Sequence, residues 1–225
     1  MYLKPILALI AGLVNVIFGF LILRKNSKNS NNIAYFFLCF SGGMWGVVKF
    51  FQLTVLNAEI QNQLIMKLVF IFGVIAPLSF LLLAYNFPYK IRKYSKIKLF
   101  LINLIPSVLV FLIIIGVFRK HETFIINGAI YREIVFYDFA IFAVYFFTYV
   151  LWGFFILLEK YLKAEGIFRS QVSFLMIATI ATFLTTGVVS IILLLFNNFT
   201  YDWLGAVFLL IHFSIAGYHI FIKSR

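Results

Sequence analysis

Seven apolar runs, each about the 20 residues that a helix needs to cross a hydrocarbon core, alternate with short polar breaks along this chain. They cover Pro5–Leu23, Ile33–Leu56, Leu64–Phe87, Leu99–Phe118, Tyr137–Leu158, Gln171–Phe196 and Trp203–Ile222. The breaks read "RKNSKNSNN", "NAEIQNQ", "PYKIRKYSKIK", "RKHETFIINGAIYREIVF", "EKYLKAEGIFRS" and "NNFTYD". This pattern predicts an all-α, polytopic seven-transmembrane helix bundle, one domain spanning residues 1–225. The first run is too long for a signal-peptide core and no small-residue cleavage site follows it, so it reads as a retained span. Only the fourth break changes period. Its "TFIINGAIYREI" alternates apolar and polar positions around Asn127-Gly128, a pair suited to the positive φ of a type I′ turn. A short β-hairpin is expected there, over the mouth of the bundle between helices 4 and 5.

Composition agrees with the pattern. Hydrophobic residues make up 64% of the chain and charged ones 12%, with a mean hydropathy of +1.07. Soluble domains carry about twice that charge. The chain therefore reads as a multi-pass protein of the cell membrane. Its net charge of +12 is a topology signal and a contact for anionic headgroups, with no nucleic-acid partner implied, because the basic residues only punctuate apolar runs. Thirteen of them fall in the first, third and fifth breaks and the C-terminus, among them Arg24, Lys25, Arg92, Lys93, Lys160 and Arg225. The opposite side holds Lys4, Arg119, Lys120 and Arg132. The positive-inside rule then places the N-terminus outside and the C-terminus in the cytoplasm.

Two lysines remain, Lys49 and Lys67, and both lie within spans near the external level. A lysine in hydrocarbon costs roughly 2.5–3.5 kcal/mol on insertion scales, so each needs a reason. Glu59, Asp138 and Asp202 stand at the same end, and Trp45 and Gln52 share a helical face with Lys49. Together with His212, near the middle of the seventh span, these residues form a candidate ligand or sensing pocket that opens outward. Two readings stand for Lys49: a sensing group in that pocket, or a structural lysine that snorkels or pairs with an external acid. For His212 the two are a proton sensor and an interhelical hydrogen bond. Thr179, Thr182, Thr186 and Ser190 recur at helical spacing, as at a close helix contact or, alternatively, along a conduction path.

Catalytic signatures are absent. The chain has no HExxH, GxSxG or phosphate-binding glycine loop, and its one cysteine, Cys39, excludes a disulfide within the chain and a cysteine metal cage. The seventh run has no lysine to hold retinal, and no repeated pair of broken helices suggests a transporter. No cofactor, metal or enzymatic activity is expected.

Four segments resemble a known family. "NIAYFFLCFSGGMWGVVKFFQL" resembles the second helix of the N-terminal seven-transmembrane region of prokaryotic histidine kinases, and "KLVFIFGVIAPLSFLLLAYNFPYK" the third. "FRSQVSFLMIATIATFLTTGVV" is similar to its sixth helix, entered through Arg-x-Gln, and "YDWLGAVFLLIHFSIAGYHIFIKSR" to its last. The resemblance implies a signal-input module whose seventh helix passes a stimulus to a cytoplasmic partner or output domain, with a homodimer as a further partner. The kinase domains themselves are absent from this chain, which ends at Arg225 where a linker would start, as in a truncated receptor or a stand-alone module. Lys49 and Gln52 occupy a region where members often carry an acid. Two other classes stay open. A small transporter or channel requires Lys49, His212 and the Thr179 to Ser190 stripe to face one cavity, and a scaffold subunit requires every polar group to be satisfied between helices.

Overall fold

A computed structural model describes residues 3–89, 95–118, 121–127, 129–196 and 198–217. Seven helices follow the seven apolar runs: α1 (Leu3–Lys25), α2 (Ser30–Thr54), α3 (Gln61–Asn86), α4 (Lys96–Ile114), α5 (Phe136–Lys163), α6 (Gly166–Ile192) and α7 (Leu204–Gly217). Among the described residues, the first six are long and apolar enough to cross a membrane. The expected seventh span continues to Ile222, and its last five residues lie outside the described residues, as do Arg92, Lys93, Arg119, Lys120 and Arg225.

Helix ends depart from the apolar runs for local reasons. Helix α5 outlasts its run by a turn because Lys160 and Lys163 stay helical, at the end where cations favour the helix dipole. Helix α4 stops short of the expected Phe118 because Gly116, at φ 78°, turns the chain back. The amides of Gly116, Val117 and Phe118 then close onto the Ile113 and Leu112 carbonyls, as at many glycine-terminated helices. Asn29 starts α2 by accepting the Asn31 amide, and Ser95 starts α4 by accepting the Lys98 amide.

The expected hairpin is present. β1 (His121–Ile126) pairs antiparallel with β2 (Ala129–Ile134), with Ile126 opposite Ala129 and Thr123 opposite Arg132. Asn127 has the positive φ, 49°, that the turn requires; Gly128 lies outside the described residues.

Packing arranges the helices as a closed ring of five, α2–α3–α5–α6–α7, with α1 seated over α2 and α7 and with α4 against α3. Glycines set the contact between α1 and α2. A Cβ on Gly12 would lie 2.6 Å from the Gly43 carbonyl oxygen, and one on Gly46 would lie 3.0 Å from Gly12. In a membrane, helices associate through such close van der Waals approach, since lipid already solvates apolar surface. "GGMWG" is thus first a packing motif. Across the ring, Tyr145 and Tyr149 of α5 donate to the carbonyls of Val74 in α3 and Ile102 in α4, satisfying buried hydroxyls. Two π-helical turns interrupt this regularity, Gln61–Ile65 at the start of α3 and Val188–Ile192 at the end of α6. Both lie at the hairpin end.

Candidate functional site

The end of α2 presents one polar face. Lys49 and Gln52 are three residues apart on it, both buried to 1% exposure, where an ammonium must find a partner. Lys49 Nζ forms an ion pair with Asp202, in the turn just before α7, and lies 5.3 Å from the centre of the Trp45 ring. Lys49 is thus a paired lysine, and its partner stands two residues ahead of the last helix.

The hairpin closes over this pair. Arg132 donates to the Gln52 carbonyl at 2.6 Å, one of the α2 C-terminal carbonyls that lack a helical partner. Gln61 donates to the same carbonyl and to that of Val55, at 2.9 and 2.8 Å. Asn62 fixes the other strand: its amide donates to the Thr123 carbonyl at 2.9 Å and its oxygen accepts the Thr123 amide at 2.8 Å. Both Gln61 and Asn62 belong to the π turn of α3. Burial pulls the Arg132 guanidinium below its ordinary value, and the nearby Asp202 carboxylate offsets only part of that. The result is a cation–anion–cation cluster of Lys49, Asp202 and Arg132, drawn from α2, the α7 turn and the hairpin.

The remaining predicted residues are dispersed. Lys67 donates to the Ile114 carbonyl at 2.8 Å and so caps the end of α4. Glu59 is exposed beside Gln63, and Asp138 is half-buried in the first turn of α5, where a carboxylate favours the helix dipole. His212 is buried on α7 and hydrogen-bonded to the backbone of Ala178 in α6. Trp45, Lys49, Gln52 and Asp202 are thus brought together, and Lys67, Glu59 and Asp138 are not part of that cluster.

Below the cluster, at the centre of the ring, is a cavity of about 120 Å³ bordered by Trp45, Phe70, Phe146, Thr182, Ser190 and His212. Its walls are chiefly aromatic and aliphatic. Sequence reasoning expected a polar pocket around Lys49; in the structure Lys49 is paired with Asp202, and this cavity lies beyond Trp45 in apolar surroundings. Thr179, Thr182, Thr186 and Ser190 all border the cavity, as does His212, but Lys49 does not. The single polar path that a transporter or channel asked of these groups is therefore not formed by them.

Two residues escaped the sequence reading. Arg132 shares with Ile134 the half-buried face of its strand, while Tyr131 and Glu133 on the other face are exposed. Lys160 continues the buried α5 stripe of Tyr149, Gly153 and Leu157. It is wholly buried and donates to the carbonyls of Ala84, Tyr85 and Phe87 at 2.8, 2.8 and 2.6 Å, capping the end of α3 opposite the hairpin.

A buried charge cluster under a hairpin, a central cavity and a last helix leading away from both suit a membrane input module. No curated protein matches the chain. Residues 7–222, nearly its whole length, match the family described as the N-terminal 7TM region of histidine kinase. With six helices able to cross a bilayer, this is a multi-pass membrane protein, and the chain belongs to the family of N-terminal seven-transmembrane regions of histidine kinases.

Proposed function

We infer that this chain is a seven-span signal-input domain in which a stimulus at the hairpin end reaches α7 through the Lys49–Asp202 pair. One observation carries the reading. Asp202 stands two residues ahead of the last helix and is held by Lys49 of α2, beside Arg132 of the hairpin. A displacement of the hairpin changes the field at Asp202, and Asp202 moves with the start of α7. The hairpin end is external and the opposite end cytoplasmic, an orientation supported by the basic excess of the loops at that opposite end. There the basic residues contact anionic headgroups, and α7 hands its displacement to a cytoplasmic partner or output region, with a second copy of the chain as a further partner. The chain itself performs no chemistry in this scheme.

The test joins a histidine-kinase catalytic region in frame after Arg225 and places reporters at Asn127 and at the C-terminus. The account predicts reporters on opposite sides of the membrane and an autophosphorylation level that shifts with Asp202→Asn at equal protein abundance. Reporters on one side, or a level indifferent to Asp202, would contradict it.

A further inference from the structure

The central cavity has a composition that selects its occupant. Among the described residues, no Asp, Glu, Lys or Arg borders it, so a charged guest would lose its hydration without compensation. Its volume, about 120 Å³, is close to that of the roughly 150 Å³ apolar cavity in which an engineered protein holds benzene. Four helices each contribute an aromatic ring to the walls: Trp45 from α2, Phe70 from α3, Phe146 from α5 and Phe183 from α6.

Polar capacity is sparse and local. Ser190 borders the cavity, is 6% exposed, and its hydroxyl has no hydrogen-bond partner among the described residues. It sits in the π turn Val188–Ile192, the kind of insertion that re-aims side chains and recurs at functional sites. On the facing helix, Pro77 also borders the cavity and has no N–H to offer the carbonyl of Gly73, four residues earlier. Gly187, one residue before the π turn, is buried, yet a Cβ built on it would meet nothing within 4 Å. Space has been left at that position.

We propose that the cavity binds a neutral, mainly apolar small molecule of one- or two-ring size, carrying at most one or two hydrogen-bonding groups. Its rings stack among the aromatic walls and its polar group meets the Ser190 side of the cavity. Such a guest touches α2 at Trp45 and α7 at Leu209, the two helices that the Lys49–Asp202 pair joins. As an input to signalling the site rests on the reading above; as a binding site it does not, so the test reads binding alone.

The experiment titrates the purified full chain in lipid nanodiscs with indole and with benzene while following thermal unfolding, and repeats each titration with benzylamine and benzoate. A saturable rise in Tm is expected for the two neutral probes, on the order of 5–10 °C at about 100-fold the dissociation constant, and none for the ions. Gly187→Ala adds one methyl group where nothing stands in its way, and should keep the unliganded Tm at or above that of the parent while weakening both probes by about tenfold. Gly187→Leu should abolish the response. A response confined to the charged probes, a non-saturating response shared equally by parent and Gly187→Ala, or no response up to the solubility of either neutral probe would overturn the proposal. The kinase fusion described above would be unaffected by that failure.

Discussion

Two lysines are buried at opposite ends of this bundle, and they are held in different ways. Lys160 lies against three carbonyls at the end of α3, groups that the helix leaves without donors in any case. Its partners are backbone dipoles at the end of a membrane-spanning helix. Lys49 instead faces one carboxylate carried on a turn, with a second cation on a hairpin strand close by. That arrangement has alternatives: Asp202 can be shared differently between Lys49 and Arg132 if the hairpin moves. The comparison separates a joint from a switch. Both solve the same desolvation problem, but the hairpin-end solution joins three elements, α2, the turn before α7 and the hairpin.

Breaking the ion pair should have the largest effect. Lys49→Met leaves Asp202 buried beside a single cation, and loss of one partner of a buried pair costs about 3–5 kcal/mol. Thermal unfolding in nanodiscs should show that loss, and Lys49→Met combined with Asp202→Leu should recover most of it, because two apolar groups of similar volume need no partner. A double variant as unstable as the single one would show that packing, not charge, holds this end.

Removing the joint should cost somewhat less. Lys160→Met strips the donor from the Ala84, Tyr85 and Phe87 carbonyls, with an expected loss of about 2–3 kcal/mol, since an unsatisfied buried acceptor costs on the order of 1–3 kcal/mol and water can reach part of a helix end. In a kinase fusion the same variant should leave output unchanged at matched abundance. A change of output comparable to that from the ion-pair variants would erase the distinction between joint and switch.

Much of this was legible in the chain, and the gaps have physical causes. Hydrophobic length located the six helices able to cross a membrane and the described part of α7, because a bilayer demands continuous apolar runs. Asn127-Gly128 located the hairpin through its turn geometry. Lys49 and Asp202 were both singled out, one by depth and one by position at a helix end, but which acid takes which cation depends on how the ends of the helices are arranged in three dimensions. Lys67 went to a helix terminus for the same reason: orphan carbonyls attract cations as well as acids do, and sequence does not rank the two. Arg132 and Lys160 were passed over because both were counted as loop charges that report topology. Each sits on an apolar periodicity, of two for the strand and of three to four for the helix, that was there to be read. The cavity could not be read, since it exists only where five helices fail to meet.

The central claim is that the hairpin reaches α7 through the Lys49–Asp202 pair. Arg132→Gln removes the guanidinium from the Gln52 carbonyl and from the vicinity of Asp202, at a stability cost of about 1.5–2 kcal/mol. Autophosphorylation of the kinase fusion should be measured for Arg132→Gln in two backgrounds, the parent and the stable Lys49→Met, Asp202→Leu chain. The account predicts a shifted output in the parent and no further shift once the pair is gone, a non-additivity that marks one pathway. An equal shift in both backgrounds would mean that the hairpin acts on the output without the pair, and would contradict the account.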